Sequence, residues 1–185
     1  SYGGTNFLIF AGTGGDMNAA EAGISSGWGG LSVTKQVSER YTDGDARAMF
    51  FTDYGTEVAD IFTFTSGGYK STKFRNVNHD GSAAQAVGFV DTDFPLFRVA
   101  DAHLMLAECA ARGAADNAKG LASLNAVRER AGVAPWTVAQ LTADNILDER
   151  CRELYGENVR RTDLVRHGKY AGGAYNWNWK GNVGN

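Results

Sequence analysis

Between Leu96 and Arg112 nearly every position is apolar, and the interruptions are Arg98, Asp101, His103, Glu108 and Arg112. At 100° per residue the four charged residues other than His103 fall within an arc of about 80°, with His103 on the opposite side. The spacing predicts a helix over 96–112, stopped by Gly113. A helix apolar over so much of its circumference is expected to sink between neighbours. Its charged stripe is then either a solvent strip or a paired network at an interface. A second helix is predicted from the N-cap Asp116 to Ala131-Gly132, with Leu121, Leu124 and Val127 on one side. The short 113–115 connection makes these two an antiparallel α-hairpin. Thr142 caps a third helix, with Asp144 in its first turn and Leu141 and Ile146 spaced as a hydrophobic staple. A fourth, short helix is predicted over 160–167, followed by an irregular tail over 171–185.

The helical period is absent before about residue 92. Short extended runs are predicted at Thr5–Phe10, Ile61–Thr65 and Lys70–Phe74, with one short helix over Thr34–Tyr41. Nine of the 24 glycines fall within the first 30 residues, a density that marks loops with unusual backbone angles. The expected fold class is therefore mainly α: an α-hairpin scaffold joined to a loop-rich, Gly-rich half with a few short strands. Residues 1–92 form the loop-rich segment and 93–185 the helical one. At 185 residues the two are expected to make one structural domain.

Charge removes some functions from consideration. The net charge is −3 with a pI of about 5.6, so no basic field would draw in nucleic acid or an anionic membrane. From Asp144 to Lys169 six acids face six bases. Asp148–Arg152 and Glu157–Arg161 have i,i+4 spacing, and the preference for Arg over Lys suits two-pronged, partly buried pairing. No apolar stretch reaches the ~18 residues of a membrane span. Cys151 is in register with Leu147 and Leu154 and reads as a small buried apolar residue; a bridge to Cys109 is the lesser alternative.

Candidate chemistry is sparse. The run from Phe7 to Asp16 looks like a strand entering a glycine loop, but Met17 stands where a dinucleotide loop needs its last glycine. Glu149, Glu153 and Glu157 could suggest a glycosidase pair, yet neighbouring arginines would lower their pKa values, the wrong direction for a general acid. His79, His103 and His167 have no zinc spacing, and His103 is expected to bond a neighbour. Asp43 and Asp45 resemble the start of a calcium loop that Gly44 and Ala46 break. No metal or cofactor is expected. Two aromatics stand out. Tyr2 in Tyr-Gly-Gly and Trp28 in Gly-Trp-Gly-Gly could each present a whole ring face, as sugar-stacking residues do, or could tuck back as loop anchors.

Three ordered segments carry a family resemblance. Phe94-Pro95-Leu96-Phe97-Arg98-Val99-Ala100-Asp101 through Ala107-Glu108 resembles the F-P-L-x-R-Y-A-E-x-x-L-x-x-A-E segment of the SusD/RagB family. Leu124-Asn125-Ala126-Val127-Arg128-Glu129-Arg130-Ala131-Gly132 is similar to its L-N-x-V-R-x-R-A-G. The stretch from Glu149-Arg150 to Gly168-Lys169 resembles its E-R-x-x-E-L-x-x-E-G-x-R-x-x-D-L-x-R-W-G-K. Asp101 for Glu, Gly156 before Glu157 and His167 for Trp are the departures. Trp28–Gln36 and Asp43–Arg47 resemble the family more loosely.

The resemblance implies a tetratricopeptide-like helical scaffold within a longer protein, of which this chain looks like an internal or C-terminal-side portion. It implies a non-catalytic glycan- or nutrient-binding lipoprotein of the outer-membrane surface, anchored through an N-terminal segment and partnered with a SusC-like TonB-dependent transporter. It also implies that Tyr2 and Trp28 are the ligand-binding residues. On the chain's own spacing the two rings are expected to form one platform, with Asp16, Asn18 or Asn6 hydrogen-bonding hydroxyls nearby. The competing readings are a glycoside hydrolase using Glu149 and Glu153, and a helical interaction module that binds no sugar.

Overall fold

The computed structural model describes residues 6–58, 67–85 and 88–171. It divides into two compact units. One comprises residues 1–38 and 48–94, the other 39–47 and 95–185. The described residues are mainly helical, with few and short strands, as the patterning predicts.

The first unit opens with helix α1 (Asn6–Gly12), where an extended run was expected. The correction has a simple cause: Phe7 to Ala11 is continuously apolar, and a run without alternation does not distinguish strand from buried helix. Ile9, Phe10 and Ala11 are buried, and Thr13 closes the helix by donating both its N–H and its Oγ1 hydroxyl to the Ile9 carbonyl (3.1 and 2.8 Å). Helix α2 (Lys35–Ser38) is shorter than predicted. Strands β1 (Phe50–Phe51) and β2 (Lys70–Ser71) pair antiparallel, Phe50 opposite Ser71. The run expected over 70–74 is thus a two-residue strand, and Ile61–Thr65 lies outside the described residues.

Ile9, Phe10, Ile24 and Val90 form the small core of this unit. Polar and glycine devices supply the rest. Asn76 is fully buried and fully used: its Nδ2 donates to the carbonyls of Gly23 and Phe89 (3.0 Å each), and its Oδ1 accepts the Asp91 N–H (2.8 Å). Gly23 has φ 74°, and a Cβ there would lie 2.1 Å from the Asn76 carbonyl oxygen. Only glycine fits that approach.

The second unit holds α3 (Val99–Ala111), α4 (Asn117–Arg130), α5 (Ala143–Leu154) and α6 (Arg160–Arg166), with a 3-10 turn over Val138–Gln140. The expected caps are present. The Asp116 side chain accepts the Lys119 N–H at 2.9 Å, and the Thr142 side chain accepts the Asn145 N–H. Leu141 and Ile146 both enter the core with Leu104, Ala107, Ala110, Leu124, Val127 and Leu154. Helices α3 and α4 form the predicted hairpin, and they cross closely at Gly120, where a Cβ would meet that of Ala110 at 2.3 Å.

Two expectations fail here. Helix α3 starts at Val99, so Leu96 and Phe97 precede it. Its apolar surface is sunk only in part: Leu104, Ala107 and Ala110 are buried, whereas Val99 and Met105, and Leu96 and Phe97 before the helix, are largely exposed. His103 lines a shallow hollow with Arg98, Val99 and Arg130, and its side chain forms no hydrogen bond among the described residues.

Candidate functional site

The charged stripe of α3 and the acids of α5 meet as a paired network, not as a solvent strip. Glu149 has no exposed surface and receives Arg47 Nη1 at 2.7 Å, Arg128 Nη1 at 2.6 Å and Arg152 Nε at 3.0 Å. Asp45 holds Arg47 in a two-pronged pair, both bonds 2.8 Å, which leaves that acid no role in a calcium loop. Glu153 accepts Arg98 Nη1 at 3.0 Å and Arg130 Nη2 at 2.6 Å. Arg98 also forks onto Glu157 (2.7 and 2.9 Å). On the far side of α5, Arg150 joins Asp101 (2.7 Å) to Asp163 (2.8 Å), while Glu108 receives Arg112 and Arg166.

Burial alone would push the Glu149 carboxyl up, but the Arg152 and Arg47 guanidiniums outweigh it and hold it below the ordinary carboxylate range. A general acid needs the reverse. Glu153 is also buried, so neither carboxylate of the supposed hydrolase pair can meet a sugar. Two of the predicted pairings are corrected. Asp148 binds Arg40 at 2.8 Å, and Arg152 turns to Glu149. Helix α5 ends at Leu154, with Gly156 at φ 76°, so Glu157 and Arg161 do not share a helical face. Arg161 instead lies over the Tyr170 ring, 5.1 Å from its centroid. Arg47 and Asp45 are the members of the network that sequence reasoning missed. Among the described residues no group of three or more His, Cys, Asp or Glu could hold a metal. Both cysteines are free thiols, Cys109 exposed and Cys151 buried.

In the loop-rich unit the Gly14–Gly27 segment returns to α1 and sets Trp28 beside it. The Trp28 N–H donates to the Phe10 carbonyl (2.7 Å), and the Gly29 N–H to that of Thr13 (2.9 Å). A Cβ at Gly27 would lie 2.0 Å from the Thr13 carbonyl oxygen, so this approach requires glycine. The indole stacks on Phe10, centroids 5.1 Å apart and planes 22° from parallel. Trp28 nevertheless remains 61% exposed. One face is held by Phe10 and the other is open to solvent. Such a ring is rigid and amphipathic, suited to the C–H face of a sugar. Tyr2, its expected partner, lies outside the described residues. Asn6 is committed elsewhere, accepting the Val90 N–H at 2.9 Å.

The same unit holds a cleft of about 600 Å³, lined by Thr13, Asp16, Asn18 and Glu21 together with Phe51, Phe74 and Arg75. The Asp16 N–H donates to the Tyr54 hydroxyl (3.1 Å), and Arg75 Nε donates to the Glu21 carbonyl (2.6 Å). These bonds join residues 38 and 54 positions apart, so no local pattern announced the cleft. Of its residues only Asp16 and Asn18 were anticipated.

The helical hairpin, the buried Arg–carboxylate network and the glycine-set aromatic place the chain in a recognisable class. It belongs to the SusD family, whose model matches residues 50–184. The chain is 35% identical over 146 residues to the starch-binding protein SusD of Bacteroides thetaiotaomicron, covering 77% of this chain and 26% of that protein. Among solved structures it resembles the surface glycan-binding protein A from Bacteroides fluxus (25% identity, TM-score 0.60, covering 91% of this chain and 36% of that one). It also resembles a SusD superfamily protein from Parabacteroides distasonis (25% identity, TM-score 0.59, covering 86% and 35%). The chain thus spans about a quarter to a third of the length of these relatives.

Proposed function

We propose that this chain is part of a non-catalytic glycan-binding protein of the bacterial cell surface. The observation that carries the reading is the open face of Trp28, rigidly backed by Phe10 in a chain whose relatives include a starch-binding and a surface glycan-binding protein. Tyr2 is proposed as the second ring of the platform. In this reading the protein is anchored in the outer membrane through a lipid on an N-terminal segment. It passes oligo- or polysaccharide to a SusC-like TonB-dependent transporter. The remaining N-terminal part of the same protein is the proposed partner for the exposed row of Leu96, Phe97, Val99 and Met105, since the relatives are about two and a half to three times longer. Absence of catalysis is supported by the burial and ion pairing of Glu149 and Glu153.

The test is native affinity electrophoresis of the complete protein against a panel of neutral polysaccharides. Trp28→Ala is expected to weaken binding at least tenfold, about 1.4 kcal/mol, with an unchanged melting temperature. Wild-type affinity in Trp28→Ala would falsify the platform.

A further inference from the structure

We propose that the cleft beside Trp28 is a second sugar subsite, contiguous with the ring and taking neutral pyranose units of the same glycan; the proposal rests on the platform reading above. Contiguity rests on Thr13, which lines the cleft and whose carbonyl accepts the Gly29 N–H and is closely approached by Gly27, the residues on either side of Trp28. A chain lying on the indole therefore reaches the cleft without leaving the surface. At about 600 Å³ the cleft is within the ~300–1,000 Å³ of small-molecule sites, larger than one sugar unit needs.

Its lining has the two halves of a sugar's chemistry. Phe51 and Phe74 offer apolar surface for ring C–H groups, and Asn18, Glu21 and Arg75 offer fixed donors and acceptors for hydroxyls. Asn18 Nδ2 donates to Glu21 Oε1 (3.0 Å), which holds the amide and carboxylate together on one wall. Beside them, Arg75 donates its Nε to the Glu21 carbonyl, and among the described residues its guanidinium forms no other hydrogen bond and no ion pair. Its amino groups are left for a ligand. With Asp16 and Glu21 against a single Arg75, a carboxylate-bearing sugar meets more repulsion than attraction. The subsite is therefore selective for neutral glycans.

Calorimetry on the complete protein with three-unit and seven-unit malto-, xylo- and mannooligosaccharides tests this. In at least one series the wild type is expected to bind the seven-unit member ~10-fold or more tightly than the three-unit member. Glu21→Ala and Arg75→Ala, both at exposed positions and with unchanged melting temperatures, should erase that gap and leave three-unit binding intact. Trp28→Ala should weaken both lengths. A length gap that survives in both cleft variants, or its absence from the wild type, overturns the subsite while leaving the platform standing. Tighter binding of oligogalacturonides than of every neutral series overturns the neutral selectivity. No binding of any series by the wild type overturns the platform reading itself.

Discussion

The two units keep their shape by different means, and the difference marks where function can reside. The helical unit is locked by ionised side chains that use one another up. Glu149 alone is shared by three arginines, and Arg98 bridges two acids. The carboxylates of that network, Glu149 and Glu153, are buried and offer no surface to a ligand. Among the described residues the loop-rich unit has a small apolar cluster around Ile9, Phe10, Ile24 and Val90, and it relies on glycine approaches and Asn76. That economy leaves aromatic faces and polar ends uncovered, which is what recognition of a sugar requires.

The sharpest way to break this contrast is to remove the centre of the ionic network. Glu149→Ala leaves the Arg128 and Arg152 guanidiniums without their carboxylate in a buried setting, a change that costs about 3–5 kcal/mol. Urea and thermal melts should show it as a large drop in stability. A melt within error of wild type would mean that the charges are not structural. Next in size is Asn76→Ala, which strands two carbonyls and one N–H and should cost roughly 1–3 kcal/mol. Hydrogen exchange should quicken around residues 22–24 and 89–91; unchanged protection there would remove Asn76 from its organising role.

The smallest effect is one of pH. Burial raises the Glu108 carboxyl, but Arg166, Arg112 and His167 overcome this and hold it at about 2, below its ordinary 4.5. A depressed folded-state pKa contributes stability that is complete above about 4.5 and is lost as pH falls from there toward 2. Acid melts should therefore lose stability in that window, and Glu108→Gln should flatten the loss. An equal acid slope in the variant would assign it to other carboxylates.

The helical unit was legible because each of its devices is local or periodic. Asp116 and Thr142 cap within three residues of their targets, and the stripe Arg98, Asp101, Glu108 repeats at helical spacing. Its misreadings came where periodicity ended. The Glu157–Arg161 pair assumed a helix that Gly156 stops, and the contribution of Arg47 needs a chain reversal that spacing cannot show. In the loop-rich unit the glycine-flanked Trp28 could be singled out as an exposed ring. Its support could not, because an apolar run read as a strand is in fact α1. The cleft depends on pairs such as Asp16–Tyr54 and Glu21–Arg75, set by long-range folding and invisible to any window along the chain.

The central claim is that recognition and stability are carried by different side chains, and one paired measurement tests it most directly. Melting temperature and glycan affinity are measured on the same preparations of Trp28→Ala and Glu149→Gln in the complete protein. The account predicts that Trp28→Ala loses affinity at least tenfold and melts like wild type, while Glu149→Gln melts lower and, below its transition, binds like wild type. Loss of affinity in a fully folded Glu149→Gln, with Trp28→Ala binding normally, would contradict it.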